Sequence, residues 1–278
     1  MSALLDLRAF VAAARKEWQI IRRYPTALLG IVIWPLVLPG VYLLQAHGFS
    51  GGDTRSLQAF AQRTGTVDMA GFLYVGGAIF NWVSIVLWGP GMTLRNEQMR
   101  GTLEELFLTP AARPVLLFGP APAYVLEVIW MFGIVFVALR FGFGVPIGLA
   151  AGLRALAILA ISAPVLFAIG ALFAATVLRF QEVNATVQVV RGTIQILCGV
   201  TFPIVVLPEL ARGAALALPP THVIASVRAV LLGGSDLARS LPDIAYLLVS
   251  AAVLAALTIA LFGVLERGAR RRGTLGQF

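Results

Sequence analysis

Six long apolar runs dominate this chain of 278 residues and restrict what it can fold into. A helix needs roughly 20 apolar residues to cross a hydrocarbon core about 30 Å thick. Backbone amides in lipid must be satisfied within the segment, and these runs are continuous rather than alternating, so helices are favoured over a β-barrel. The runs cover residues 24–52, 69–94, 114–139, 155–178, 192–208 and 244–265.

The composition supports a membrane location, because 59% of the residues are hydrophobic and only 12% are charged. Most Arg and Lys residues fall on the cytoplasmic side if the N-terminus lies inside the cell. We therefore predict one all-α membrane domain over residues 1–278 with both termini inside. It would consist of an interfacial helix (1–23), a six-span bundle (24–265) and a basic tail (266–278). Anionic headgroups of membrane lipids explain the net charge of +8, so no nucleic-acid partner is expected.

Residues 4–23 have the periodicity of an amphipathic helix. Leu7, Phe10, Val11, Trp18 and Ile21 fall on one arc at 100° per residue, and the basic residues and Gln19 fall on the other. A basic face opposite an apolar face is typical of a helix that lies at the headgroup boundary of a membrane. Packing on a soluble domain is the alternative, but the sequence contains no soluble domain for it to pack on.

Residues 95–114 form a charged, punctuated stretch between the second and third apolar runs. Thr102 and Glu105 have the spacing of a capping box at a helix start. Leu103, Leu106 and Phe107 would make an apolar patch at i, i+3 and i+4, which we expect to be rimmed by Glu97, Glu104 and Glu105. Gly101 frees the backbone before the cap, and Pro110 ends the helix. The pattern predicts a short cytoplasmic helix that docks on a partner.

Glu97 and the sequence GTLEELFLTPAARP at 101–114 resemble the cytoplasmic loop of ABC-2 type transporter permeases, the membrane subunits of a class of ATP-binding-cassette exporters. LPPTHVIASVRAVLLGG at 218–234 is similar to a late segment of the same family, although Pro219-Pro220 stands where Asn-Pro is usual. The resemblance covers the whole chain. It implies six spans, a coupling helix, ABC ATPase subunits, and a second permease subunit in a homodimer or heterodimer.

The resemblance also assigns two groups of residues. The coupling element would contain Glu97, Gly101, Thr102, Leu103, Glu104, Glu105, Leu106, Phe107, Thr109 and Pro110. A re-entrant hairpin after the fifth span would form an outer gate, with bends or polar contacts at Phe202, Pro203, Pro208, Pro219, Pro220 and His222.

The chain carries no recognisable motif for catalysis. A phosphate-binding loop needs a glycine-rich turn followed by Lys, and the only lysine, Lys16, has no glycine near it. The two histidines, His47 and His222, lie far apart without carboxylates at metal-ligand spacing, so no metal site is expected. We predict that the chain is not an enzyme and holds no cofactor, and that ATP and Mg bind to the partner subunit.

Polar residues within the apolar runs are candidates for a substrate pathway. Glu127 is the one carboxylate in the six runs, and intramembrane carboxylates are costly and often functional. Packing between helices is an equally credible role for it. Asn184, Gln188, Arg191 and Gln195 form a stripe at helical spacing, which would line an inward-open cavity or hold helices together.

These features predict the permease subunit of an ATP-driven exporter in a bacterial cytoplasmic membrane. It would move an amphipathic or hydrophobic substrate, such as a drug, antibiotic or lipid, outward by alternating access. Export of a cell-surface polysaccharide or glycolipid is the first alternative. A secondary transporter or channel without an ATPase is the second, and would show broken helices or charged pairs at the midplane.

Overall fold

The computed structural model of the chain describes residues 3–23, 54–64, 68–109, 121–142, 147–176 and 183–272, with isolated positions between these ranges. Within these residues the chain is helical and contains no β-strand, so the prediction of an all-α membrane protein is confirmed. The helices are α1 (Ala3–Arg23), α2 (Thr54–Thr64), α3 (Met69–Met99), α4 (Leu103–Leu108), α5 (Ala121–Val137, continued by a π-helix at Ala138–Gly142), α6 (Leu149–Thr176), α7 (Val183–Leu197), α8 (Glu209–Leu216), α9 (Pro219–Leu231) and α10 (Leu241–Arg272).

Four helices of the described part are long and apolar enough to cross a membrane. Their apolar windows are Met69–Val86, Ala121–Gly142, Leu149–Phe173 and Leu237–Leu265, and the bent pair α8–α9 makes a fifth if it counts as one span. Most of the first predicted run, 24–52, lies outside the described residues, so the count of six spans stays a prediction.

The predicted boundaries of the fifth run, 192–208, were wrong at both ends. The helix there, α7, begins at Val183 and ends at Leu197. Gly199 follows with a φ of +73°, a conformation that glycine adopts without steric cost, and it reverses the chain. A short 3-10 helix, Ile204–Val206, begins only after Pro203. The run of mostly apolar residues gave no sign of this turn in the sequence.

The core of the bundle lies between α3, α6 and α9. Helix α6 packs against α3, α9 and α10. Tyr74 and Trp82 of α3, Ile158 and Leu166 of α6, and Ile224 of α9 are almost completely buried. The apolar window of α3 is 83% buried, whereas that of α10 is 17% buried. Helix α3 is therefore central, and α10 presents most of its apolar surface outward, as a helix next to lipid would.

Proline residues set the break between α8 and α9, whose axes differ by 84°. Helix α8 begins directly after Pro208. Leu218 is extended, and Pro219 and Pro220 occupy the first turn of α9, where a missing backbone N–H costs nothing. The bends predicted at these prolines are therefore present. The pair has the shape of a broken span or a re-entrant loop.

Two ends of the bundle carry most of its polar contacts. One end, which we call the Lys16 end, holds α1, the last turn of α3 and α4. The other, which we call the Arg228 end, holds α2, the first turn of α3, the turn after α7, and the α8–α9 pair.

Candidate coupling site and gate

A buried carboxylate organises the Lys16 end. Glu97, near the C-terminus of α3, is only 6% exposed. Lys16 of α1 donates a hydrogen bond to Glu97 Oε1, and the Thr102 hydroxyl donates to Glu97 Oε2 at 2.5 Å. Arg100 Nη1 lies 3.9 Å from Oε1. One side chain thus joins α1, the end of α3 and the residue that precedes α4.

This network changes two predictions about the loop. The capping box is wrong, because Thr102 has a helical ψ of −3° and makes no side-chain cap hydrogen bond. Its hydroxyl donates to the charged Glu97 carboxylate instead, and hydrogen bonds to charged groups are the stronger ones. Glu97 also lies inside the protein rather than on the rim of a docking patch, whereas Glu105 is exposed.

Gly101 makes the connection between α3 and α4 sharp. Its φ is +74°, and the Thr102 amide donates to the Glu97 carbonyl at 3.0 Å. This is the hydrogen bond of a Schellman motif, which glycine completes at the end of a helix. The role predicted for Gly101 as a point of backbone freedom is therefore confirmed.

Opposing effects act on the pKa of Glu97. Burial raises the pKa, because it disfavours the charged form. Hydrogen bonds from Lys16 and Thr102 and the charges of Lys16 and Arg100 lower it, and together they bring it below the ordinary value. The carboxylate is thus ionised at neutral pH.

A second contact joins α1 to the far side of the loop. The Ala112 amide donates to Asp6 Oδ1 at 3.0 Å. Lys16 and Asp6 therefore contact residues on both sides of α4. The opposite, apolar face of α1 is open, with Leu7, Val11 and Trp18 each about half exposed. Such a face suits the headgroup boundary that the periodicity predicted.

Helix α4 is six residues long, and its last residue is the more exposed of its two described apolar side chains. Leu108 is 82% exposed, while Leu106 is partly buried. Thr109 is extended, with a ψ of 149°, as expected for a residue before proline. The sequence patch omitted Leu108 because i, i+3, i+4 spacing from Leu103 does not reach it. The side chains of Leu103, Glu104 and Phe107, and all of Pro110, lie outside the described residues.

The candidates for a substrate pathway are only partly brought together. Arg191 Nε donates to the Ser84 hydroxyl of α3 at 3.1 Å, and its Nη1 donates to Gln188 Oε1 at 3.2 Å. The stripe on α7 thus contacts α3 through Arg191. Gln195 is partly buried on the same helix, and the side chain of Asn184 lies outside the described residues. Glu127 is partly buried in the second turn of α5.

Residues of the predicted outer gate lie at the Arg228 end. Phe202 and Pro203 precede the 3-10 helix, and Pro208, Pro219 and Pro220 flank α8. His222 Nδ1 lies 2.7 Å from Asp243 Oδ1, and its Nε2 lies 2.8 Å from the Leu216 carbonyl. A carboxylate and a backbone carbonyl thus flank the two nitrogens of the ring. His222 links α9 to α8 and α10.

Arg228 was missed by the sequence reasoning, yet it is the most buried cation of the described residues, at 9% exposure. Its guanidinium donates four hydrogen bonds to backbone carbonyls. Nε and Nη2 bind the Phe72 carbonyl at 3.0 and 2.8 Å, Nη1 binds Gly199 at 2.5 Å, and Nη2 binds Val200 at 2.6 Å. One arginine within the apolar sequence VIASVRAVLL was the signal that could have identified it.

A cavity of about 270 Å³ lies beside this guanidinium. Its lining includes Arg63 of α2, Cys198 and Gly199 of the turn after α7, and Thr221 and Arg228 of α9. Among the described residues, no three His, Cys, Asp or Glu side chains are placed to hold a metal ion.

A protein-family model described as ABC-2 type transporter matches residues 8–232 of the chain, well over half of it. No curated protein matches the chain. The family match includes α1, the loop with α4, and the α8–α9 pair.

Proposed function

Since the chain belongs to the ABC-2 type transporter family and is the permease of an ABC-type transporter in a membrane, we propose that it works as the membrane half of an exporter. Separate ABC ATPase subunits would bind ATP and Mg. Two permease subunits would enclose the path of the substrate, with both termini in the cytoplasm of a bacterial cell.

One observation carries this proposal: α1 and the loop that contains α4 are joined by two separate polar contacts. Lys16 binds Glu97 before α4, and Asp6 binds the Ala112 amide after it. A force applied to α4 by a partner would therefore reach both α3 and the interfacial helix. A loop that only connected two spans would need neither contact.

Leu108 is the best candidate for direct contact with the ATPase. An apolar side chain that is 82% exposed at the tip of a short helix gains free energy when a partner covers it. The neighbouring Leu106 would extend the same surface. Closure of the ATPase subunits around ATP would press on this surface and change the arrangement of α3 and α1.

The proposed cargo is an amphipathic or hydrophobic molecule moved outward by alternating access. The buried core of the bundle consists mostly of apolar side chains. The cavity at the Arg228 end combines apolar walls with two arginines, Arg63 and Arg228. Such a surface suits a molecule with an apolar body and a polar group.

A matched pair of leucine substitutions tests the proposal. Leu108→Ser should abolish copurification of ATPase activity with the tagged chain from detergent-solubilised membranes of its own organism. Leu210→Ser is the control, because Leu210 is 92% exposed on α8, another short helix, at the opposite end. We expect the control to retain full ATPase activity.

Two outcomes would contradict the proposal. Either the wild-type chain purifies without ATPase activity, or the two serine variants lose it equally. The second result would show that α4 has no special part in binding the ATPase.

A further inference from the structure

We propose that Arg228 is a positioning residue of the outer gate, a clasp that holds the turn after α7 against the first turn of α3 and releases it during transport. This role rests on the proposed function, because a gate requires a transport cycle. The carbonyl contacts of Arg228 themselves do not depend on it.

The clasp joins three segments that are distant in sequence. Arg228 belongs to α9, Phe72 to the first turn of α3, and Gly199 and Val200 to the turn that ends α7. The guanidinium carbon also lies 3.5 Å from the centre of the Phe72 ring, which adds a cation–π contact. Removing this one side chain would therefore remove the hydrogen bonds that it makes between the turn and both helices.

Two glycines make the close approach feasible. A Cβ at Gly76 would collide with Nη2 of Arg228 and with the Val200 carbonyl. Gly199, with a φ of +73°, permits the chain reversal that turns its own carbonyl and that of Val200 toward the guanidinium. Both glycines serve the contact, one by making space and the other by its backbone conformation.

The Arg228 clasp contains no ion pair among the described residues, which suits a contact that must form and break during transport. Its acceptors are neutral carbonyls, and within the described residues no carboxylate lies within ion-pair distance of Arg228. A buried cation held by carbonyl dipoles and an aromatic ring has no oppositely charged partner. The cavity of about 270 Å³ borders the same turn, so the turn has space into which it can move.

The turn also contains a cysteine whose chemical labelling can show whether the turn is open or closed. Cys198 is the only cysteine of the chain, is 1% exposed, and directly precedes Gly199. It lines the same cavity. Release of the clasp would expose this thiol without any engineered cysteine.

The first experiment measures the rate at which a polyethylene-glycol maleimide labels Cys198 in the purified complex in lipid nanodiscs, as a mass shift of this chain on a gel. The wild type should react slowly. Arg228→Met should react about tenfold faster, since hydrogen bonds to a charged group are lost and the turn opens more often. Arg228→Lys, which restores a cation with fewer donors, should lie between the two.

Arg154→Met is the matched control, because Arg154 lies at the same end but pairs with Asp236 at 2.8 Å on the surface. It should label at the wild-type rate. Wild-type labelling of Arg228→Met would overturn the clasp. Equal acceleration by Arg154→Met would also overturn it, because it would indicate general loosening.

Gly76→Ala provides a second disruption that leaves Arg228 intact, and it decides the question if Arg228→Met does not fold. It should accelerate labelling, whereas Gly213→Ala should not, since a Cβ at Gly213 meets no described atom within 4 Å. Equal rates in the two alanine variants would overturn the proposal.

The last arm separates the gate from the proposed function. Trapping the ATPases with ATP and vanadate should change the labelling rate of wild-type Cys198 and leave Arg228→Met, already open, unchanged. An unchanged wild-type rate in a complex that hydrolyses ATP would overturn release of the clasp during transport. A complex without ATP hydrolysis would instead refute the proposed function, while the Arg228 and Gly76 comparisons would still decide whether the clasp holds the turn.

Discussion

The two ends of the bundle hold their segments together with different chemistry. At the Lys16 end, two side chains of opposite charge meet, with the Lys16 side chain 45% exposed and the Glu97 side chain 8% exposed. At the Arg228 end, a fully enclosed cation binds backbone carbonyls of two other segments. The first contact depends on ionisation and on water nearby, and the second depends on shape. We therefore expect the ends to respond differently to mutation and to solution conditions.

This difference suits different tasks. A half-exposed ion pair contributes little free energy and can rearrange when a partner presses on α4. The contacts of Arg228 require that Gly76 and Gly199 remain glycine, so that contact is made or lost as a unit. The Lys16 end is thus adjustable, and the proposed release of the clasp would switch the Arg228 end between two discrete arrangements.

The largest expected effect on stability comes from Arg228→Met. It leaves the carbonyls of Gly199 and Val200 without their donor, and each orphaned buried acceptor costs about 1–3 kcal/mol. We expect a loss of about 3 kcal/mol in the free energy of unfolding, against about 1 kcal/mol or less for Lys16→Met. Thermal unfolding in detergent, followed by tryptophan fluorescence, measures both. A larger loss for Lys16→Met would reverse the comparison.

Substitution of a glycine at each end should give the second-largest change in the free energy of unfolding. Gly76→Ala places a Cβ against Arg228 and the Val200 carbonyl, and overpacking of this kind costs about 1–3 kcal/mol. Gly101→Ala meets no described atom within 4 Å, so only its left-handed φ opposes alanine, at about 1 kcal/mol. The same unfolding measurement should show the larger loss at Gly76. Equal losses would mean that the guanidinium yields to the added methyl group.

The sequence predicted the elements of both ends better than the contacts between them. Apolar periodicity located α1, and prolines located the break between α8 and α9, because these signals act over a few neighbouring residues. The pairing of Lys16 with Glu97 joins residues 81 positions apart, and no local pattern encodes it. The capping box failed for another reason, since Glu97, which lies near Thr102 in sequence but outside the motif, accepts the hydrogen bond from the Thr102 hydroxyl.

The Arg228 end shows a different limit of sequence reasoning. Residues 192–208 are mostly apolar, so composition predicted a span through a segment that turns at Gly199. Arg228 is the donor that binds the carbonyls of this turn, and only the three-dimensional structure places it there. The family resemblance included the segment 218–234 but gave no role to the arginine within it.

The smallest expected effect is a pH-dependent change in the free energy of unfolding, which we expect at the Lys16 end only. Because its folded-state pKa is lowered, ionised Glu97 contributes stability above the ordinary carboxyl pKa, and this contribution is lost as pH falls toward the lowered folded-state value. The wild type should therefore be more stable than Glu97→Gln at pH 7, by about 1 kcal/mol at most. The two should converge as pH falls through the range below the ordinary carboxyl value.

Thermal unfolding of the two proteins from pH 7 down to about pH 3, below the ordinary carboxyl pKa, tests this convergence. Glu105→Gln is the control, because Glu105 is exposed on the neighbouring α4 and its substitution should change stability little at any pH. High salt should also narrow the gap between wild type and Glu97→Gln, since Lys16 is half exposed and screened. The loss caused by Arg228→Met should stay the same in high salt, because its partners carry no net charge. A gap at Glu97 that widens in acid would show that the Lys16 end is held by packing rather than by charge.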